Sequence, residues 1–252
     1  MMRDLYIRRM SLPEPLPRES YLNRLPVVRA LAEKGIEFHK QVTFFVGENG
    51  SGKSTLIEAL AISQGFNPEG GTKNFSFSTE DSHSELYDYL RVARGVVYPR
   101  DGFFLRAESF YNVASSIDQM DREPGPGGHI IASYGGVSLH RQSHGESFLS
   151  LVEHRFQKGH GLYILDEPEA ALSPRGVIHL MQQMDRLVDL DSQFIISTHS
   201  PMLITFPDAE IYQIREDGIS SVRFQDTDHY RTTVRFLQNP ESAIEDILGK
   251  KI

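Results

Sequence analysis

The chain has 252 residues, no cysteine, no tryptophan and a formal net charge of −8 at pH 7. This length suits one or two domains with a sizeable core, and the absence of cysteine excludes disulfides, thiolate metal sites and a cysteine nucleophile. The acidic balance argues against a chain that coats nucleic acid or anionic lipid. No apolar run approaches the roughly 18 residues that span a bilayer, and the N-terminus lacks the apolar segment of a secretory signal. We therefore expect a cytoplasmic protein without a transmembrane segment.

Short apolar strands alternate with helical patterns along the chain. Residues 36–46 end in the β-branched and aromatic run VTFFV, which predicts a strand, and glycines and then the helical stretch TLIEALAISQG follow it. The Pro-Arg-Asp-Gly segment at 99–102 predicts the turn of a β-hairpin. Helices are predicted at 147–157, 176–190 and 242–248, and buried strands at 162–165 and 194–197. This alternation indicates an α/β fold with a largely parallel core sheet flanked by helices.

Residues 47–54, GENGSGKS, fit the phosphate-loop pattern G-x-x-x-x-G-K-[ST] between a strand and a helix. Successive backbone N–H groups of such a loop supply the several donors that a triphosphate needs, and Gly50 and Gly52 permit its close approach. The following helix directs its positive N-terminal end at the phosphates. Lys53 would reach the β- and γ-phosphates, and the Ser54 hydroxyl would ligate Mg²⁺. The predicted ATP-binding residues here are Gly47, Glu48, Asn49, Gly50, Ser51, Gly52, Lys53, Ser54 and Thr55.

Two carboxylates follow the apolar strand LYIL at 162–165. Parallel strands bring their C-terminal ends beside the phosphate loop, so Asp166 would hold Mg²⁺, directly or through water. Glu167 would polarise the attacking water as general base. The alternative is a strand that simply ends in solvated acidic residues.

These motifs and their order resemble those of ABC-type ATPases. GENGSGKST is the form of phosphate loop found in that family, and LYILDEPEAALSP at 162–174 resembles the Walker B strand and the D-loop. FIISTHS at 194–200 resembles the strand that carries the switch histidine, here His199, which contacts the γ-phosphate in that family. The resemblance covers roughly residues 36–215. It implies a P-loop NTPase head with an antiparallel β-subdomain, as a single domain over 1–252 with a helical, signature-bearing subdomain near 108–158.

Residues 143–147, SHGES, occupy the place of the signature loop of that family, usually LSGGQ. Ser143 and Gly145 keep a hydroxyl and a bare backbone at a helix start, and Glu146 completes the predicted ATP-binding set. In the family this loop acts across a dimer interface on the ATP of the partner. Because the sequence departs from the family pattern, a plain capping box formed by Ser143 and Glu146 is the alternative.

Two further assignments follow from the same resemblance. Glu108 falls near the place where the family has a glutamine that reaches the Mg²⁺ site, so it is predicted as a metal ligand, with a surface carboxylate as the alternative. Tyr6, Tyr21 and Phe38 are candidates for an adenine-stacking aromatic, the alternative for each being a core or surface position.

The sequence thus predicts a Mg²⁺-dependent ATPase that works as a head-to-tail homodimer around two ATP molecules, with Lys53, Glu167 and His199 as its catalytic residues. The 35 residues between Glu108 and Ser143 are too few for coiled-coil arms. Their Gly/Pro-rich segment EPGPGG, together with SHGES, favours the bacterial stand-alone predicted ATPases (the AAA family ATPase group) over a transporter subunit. Two interpretations stay open: the ATP-binding subunit of an ABC transporter, and an ATP-gated clamp for DNA or a partner protein.

Overall fold

The computed structural model describes residues 4–73, 84–122, 131–141 and 143–249. The strands are β1 Ile7–Ser11, β2 Ile36–Glu37, β3 Val42–Gly47, β4 Arg91–Arg94, β5 Asp101–Arg106, β6 Gly161–Asp166, β7 Gln193–Ser197, β8 Glu210–Arg215 and β9 Gly218–Ser221. The helices are α1 Pro26–Glu33, α2 Lys53–Ser63, α3 Leu86–Tyr89, α4 Phe110–Arg122, α5 His144–Arg155, α6 Pro174–Asp189, α7 Asp228–Gln238 and α8 Pro240–Leu248. The Gly/Pro-rich segment EPGPGG, residues 123–128, lies outside the described residues.

The central sheet has six strands in the order β5-β6-β7-β3-β8-β9. Every neighbouring pair from β5 to β8 is parallel, and β8 and β9 form an antiparallel pair at one end. Strands β3, β6 and β7 are buried along their whole length, which explains why they read as unbroken apolar runs. The predicted α/β fold with a largely parallel core sheet is confirmed.

Helices cover both faces of the central sheet. Phe45 packs on the face covered by α1 and α2, where Leu56 and Leu60 are fully buried. Its neighbour Phe44 points to the opposite face and packs in the cluster formed by α5 and α6, which includes Leu151 and Leu180. Successive residues of a strand point to opposite faces, so each central strand supplies both cores.

A second, smaller sheet has the order β2-β1-β4 and is antiparallel throughout. It confirms the predicted antiparallel β-subdomain and packs on the face of the central sheet that α2 covers. The boundaries of the helical subdomain near 108–158, which includes α4 and α5, remain a prediction.

The hairpin predicted around 99–102 is wrong. Strand β4 pairs with β1 in the small sheet, whereas β5 pairs in parallel with β6 in the large one. Asp101 and Gly102, which the sequence suggested as turn residues, are the first residues of β5. A Cβ on Gly102 would lie 2.8 Å from the carbonyl oxygen of Leu162, so this glycine serves the close approach of two strands.

The carboxyl ends of β3, β6 and β7 meet at one edge of the central sheet. In the strand register Ser197 lies beside both Phe45 and Asp166, and α2 begins at the same edge. Among the described residues, no helix is both long and apolar enough to cross a membrane.

Candidate nucleotide-binding site

The loop between β3 and α2 depends on glycine at two positions. Gly50 and Gly52 have φ values of +80° and +93°, in the left-handed region that side chains with a Cβ rarely adopt. A Cβ on Gly52 would also lie 2.6 Å from Cγ1 of Val27 on α1. The loop therefore turns sharply into α2, and its N-cap, Gly52, makes no side-chain hydrogen bond to the N–H groups at the helix start.

Lys53 is buried at the first position of α2 and folds back over the loop. Its Nζ donates to the carbonyl oxygens of Gly47 at 2.7 Å and Glu48 at 3.1 Å. Burial lowers the pKa of Lys53, while the nearby carboxylates of Glu167 and Asp166 oppose this shift. The ammonium group is thus a cation held by two neutral acceptors, a state that favours exchange of those acceptors for an anion.

Asp166, the last residue of β6, is only 4% exposed. Its Oδ1 accepts a hydrogen bond from the Ser197 hydroxyl, and the Ser54 hydroxyl is a further hydrogen-bond partner of the carboxylate. Burial raises the pKa of Asp166 to about 6, although these hydrogen bonds and the Arg106 guanidinium oppose the rise. The carboxylate is therefore an incompletely compensated anion, which a divalent cation would stabilise.

Glu167 and His199 face each other beyond the ends of β6 and β7. Glu167 Oε1 lies 3.2 Å from His199 Nε2. Glu167 has φ +49°, unusual for a residue with a side chain, and its N–H donates to the carbonyl oxygen of Ser197 at 3.0 Å. This backbone turn directs the Glu167 side chain away from the sheet edge and toward the histidine.

A third carboxylate ties two segments of the site together. Glu169, in the short turn Pro168–Ala171, accepts hydrogen bonds at Oε1 from the N–H groups of His199 at 2.6 Å and Ser200 at 3.1 Å. A shift of the segment after β6 would therefore move the histidine backbone as well.

Four of the predicted residues line one cavity of about 300 Å³: Ser54, Glu108, Asp166 and Glu167. Within the described part of the chain, no group of three or more His, Cys, Asp or Glu side chains is arranged to hold a metal ion. Mg²⁺ is usually held by one or two protein carboxylates together with phosphates and water, so the oxygen atoms of Ser54 and Asp166 fit it. The Glu108 side chain is 84% exposed and lies 3.4 Å from the Arg106 guanidinium, an ion pair that would compete with a metal ion for this carboxylate.

Residues 143–147 form the start of α5. Ser143 Oγ accepts from the N–H of Glu146 at 3.4 Å and donates to Glu146 Oε2 at 2.7 Å, and that same oxygen accepts from the Ser143 N–H at 3.0 Å. The capping box considered from the sequence is therefore present. A Cβ on Gly145 would lie 3.0 Å from the carbonyl oxygen of Ala171, so this helix start packs against the turn after β6.

Sequence reasoning missed four contributors to the site. Ser197 binds Asp166, and Arg106 joins Asp166 to the buried Glu58 of α2. Glu58 did carry a signal, because it is the charged residue in the otherwise apolar stretch 56–62 of α2. His229 of α7, whose Nε2 lies 3.0 Å from Nδ1 of His199, stands in a segment to which the sequence assigned no motif.

The adenine candidates separate by burial. Tyr6 and Phe38 are each 4% exposed and belong to the core, whereas Tyr21 is 58% exposed. A cavity of about 640 Å³ adjoins the phosphate loop at Asn49, Gly50 and Ser51; three arginines are part of its wall, Arg24, Arg29 and Arg215.

Comparisons with known proteins agree with this geometry. A family model described as an AAA domain matches residues 28–105. The chain is 28% identical over 212 residues to the ribose import ATP-binding protein RbsA of Jannaschia sp. (strain CCS1), an alignment that covers 77% of this chain and 39% of that protein. It is 27% identical over 218 residues to a putative ABC transporter ATP-binding protein of Methanothermobacter marburgensis, covering 79% of this chain and 78% of the relative.

The fold has solved counterparts. A putative metal-chelate type ABC transporter, solved in an inward-facing conformation, superposes with a TM-score of 0.52 at 15% identity and covers 93% of this chain and 89% of the other. The motifs and these relatives support an ABC-type P-loop ATPase, and the likeness to the solved transporter structure shows that the fold is of the same kind. The chain spans about two fifths of the length of the ribose import protein.

Proposed function

We propose that the chain binds ATP with Mg²⁺ and hydrolyses it between two head-to-tail copies. The observation that carries this proposal is the convergence of Lys53, Ser54, Asp166, Glu167 and His199 at one edge of the central sheet, from three separate parts of the chain. A cluster with only a structural role would not need the buried and incompletely compensated carboxylate of Asp166 beside the N-terminus of α2.

The phosphates would lie across the loop that precedes α2, where Lys53 Nζ exchanges the carbonyl oxygens of Gly47 and Glu48 for phosphate oxygens. Ser54 and Asp166 would hold Mg²⁺, with Glu108 as an outer ligand. When bound, the metal neutralises charge on the β- and γ-phosphates. The nucleoside would extend into the cavity beside Asn49, where arginines can reach its ribose.

Glu167 would accept a proton from the attacking water, and His199 Nε2–H would donate to the γ-phosphate. The 3.2 Å between Glu167 Oε1 and His199 Nε2 supports this pairing of roles, because both side chains lie at the same end of the site.

The second copy would supply the Ser143 hydroxyl and the backbone of Gly145 and Glu146. Ser143 and Glu146 are exposed in the single chain, and the N-terminus of α5 offers N–H groups and a positive helix end to a γ-phosphate. The capping box does not conflict with this role, because it positions the Ser143 hydroxyl at the helix start.

Phosphate release from ATP in the presence of Mg²⁺ tests the proposal. We expect turnover by the wild type, and a loss of at least about 100-fold in Glu167→Gln with ATP affinity within about threefold. Glu153→Gln, which removes a carboxylate paired with His179 on the surface, is the matched control and should keep the wild-type rate. Near wild-type turnover by Glu167→Gln would refute Glu167 as the base.

A second candidate is the ATP-binding subunit of a transporter, which the names of the relatives favour. Co-purification of the chain with a hydrophobic membrane partner would support it. Turnover by the isolated chain that needs no partner would favour the stand-alone ATPase.

A further inference from the structure

The first turn of α7 is fixed to the central sheet. Asp228 accepts from both Nε and Nη2 of Arg215 at 3.1 and 2.9 Å, and it exchanges two hydrogen bonds of 3.1 and 3.2 Å with the side chain of Gln213 on β8. Thr227 caps the helix by accepting from the N–H of Tyr230. The position of the next residue, His229, is thus determined by β8, the strand that pairs with β3 ahead of the phosphate loop.

His229 contacts His199 through ring nitrogens. His229 Nε2 lies 3.0 Å from His199 Nδ1, and the two rings meet at 70° with centroids 5.1 Å apart. Since His199 Nε2 faces Glu167 at 3.2 Å, a carboxylate and two imidazoles form one continuous row.

The positions of the protons in this row follow from hydrogen-bonding capacity. Glu167 Oε1 and His199 Nε2 form a close contact at 3.2 Å rather than an aligned hydrogen bond, and a carboxylate oxygen, which accepts, is best matched by a proton on this nitrogen. The Nδ1 of a neutral His199 is then an acceptor, and the proton between the rings belongs to His229 Nε2.

The surroundings of His229 agree with a neutral ring in this row. Burial and the neighbouring His199 and Lys53 lower the pKa of His229, and Glu48 and Asp228 oppose that shift. A neutral imidazole has one N–H, and with His199 Nδ1 as the acceptor of the 3.0 Å contact this N–H is at Nε2 of His229.

We propose that His229 is a positioning residue that donates through Nε2–H to His199 Nδ1 and so holds His199 with its own proton at Nε2, directed at Glu167 and the γ-phosphate site. This inference rests on the proposed roles of Glu167 and His199. Without His229, the His199 ring could place its proton at Nδ1 and present a lone pair to the carboxylate and to phosphate, which repel it.

Substitutions at His229 distinguish a hydrogen-bond donor from a side chain that only packs against His199. We expect His229→Leu to lower kcat for phosphate release about tenfold with KM within about twofold, since the donor acts on orientation at the reacting groups. His229→Gln places an amide N–H near the former Nε2 and should stay within about threefold of the wild type. His179→Leu, a second half-buried histidine paired with a glutamate, is the matched control and should leave kcat unchanged.

A double-mutant cycle tests whether His229 acts through His199. His199→Ala combined with His229→Leu should be no slower than His199→Ala alone. The first substitution already removes the acceptor, His199 Nδ1, so loss of the His229 donor has no further effect. Wild-type kcat in His229→Leu, equal losses in the Leu and Gln variants, or multiplicative losses in the double variant would each overturn the proposal.

The tautomer itself can be read without turnover. Long-range ¹H–¹⁵N spectra of the nucleotide-free wild type should show His199 protonated at Nε2 and His229 protonated at Nε2. His199 protonated at Nδ1 would overturn the proposal even if ATP is hydrolysed. If the wild type releases no phosphate, the proposed function fails, while these spectra still decide the positioning of His199.

Discussion

Glu167 Oε1 and His199 Nε2 lie 3.2 Å apart because their strands are neighbours in parallel register. Asp166 of β6 pairs with Ser197 of β7, so the residues just beyond the two strands emerge side by side at one edge. This arrangement brings two carboxylates, one of them buried, and a histidine to the start of α2 without a contribution from a distant loop.

Replacing Lys53 with methionine removes the cation at the phosphate loop. Charge-assisted hydrogen bonds contribute about 1.5–3 kcal/mol, so ATP affinity should fall about 10- to 100-fold. Isothermal titration with ATP and Mg²⁺ measures the loss. Lys40→Met, which removes an exposed lysine paired with Asp208, should bind ATP as the wild type does; comparable affinities for the two variants would contradict the role of Lys53.

Asp166→Asn should stabilise the nucleotide-free protein at neutral pH. Burial raises the pKa of Asp166 from 3.8 to about 6, so the folded state holds this proton more tightly than the unfolded state. The wild type therefore loses stability as the pH rises through this interval, by about 3 kcal/mol at most, whereas a neutral asparagine does not.

Urea unfolding without nucleotide or Mg²⁺ tests that prediction. The Asp166→Asn variant should have the higher free energy of unfolding at pH 7.5, and the difference should shrink at pH 4.5. Asp208→Asn, at an exposed carboxylate, should show no such difference. A variant that is less stable than the wild type at pH 7.5 would contradict the account of Asp166.

Arg106→Met should destabilise the fold because it leaves Glu58 without its cation. The Glu58 side chain is 5% exposed, and breaking a buried ion pair from one side costs about 3–5 kcal/mol. The double variant Glu58→Met with Arg106→Met should recover most of this loss, since it removes the orphaned charge too. Urea midpoints measure both; a double variant less stable than Arg106→Met alone would contradict the pairing.

Two substitutions at Ser143 separate its cap from its proposed contact across the dimer. Ser143→Ala loses the N-cap and should cost about 1 kcal/mol of unfolding free energy, whereas Ser143→Asp keeps a capping oxygen and should be near neutral. The aspartate would nevertheless repel the γ-phosphate of the partner's ATP, so phosphate release should fall in both variants. Wild-type turnover in Ser143→Asp would contradict the contact.

The phosphate loop, the acidic strand end and the histidine strand were accessible to sequence reasoning because each is a local pattern with a local physical cause. The left-handed φ values of Gly50 and Gly52 follow directly from their places in the loop. The parallel direction of most strands in the central sheet likewise followed from their alternation with helices.

The features that were missed depend on contacts between distant residues. Asp101 and Gly102 resemble turn residues, yet Arg155 binds the carboxylate and the backbone of β6 approaches the glycine. The contact of His229 with His199 depends on where α7 is fixed to β8. The local sequence around His229 does not predict that position.

Size-exclusion chromatography with light scattering on Glu167→Gln, with and without ATP and Mg²⁺, tests the central claim most directly. Because this variant should retain ATP without hydrolysing it, we predict a monomer without nucleotide and a dimer with it. The same shift should be absent when Lys53→Met is added to Glu167→Gln. A mass that does not change on addition of ATP and Mg²⁺ would contradict the head-to-tail arrangement.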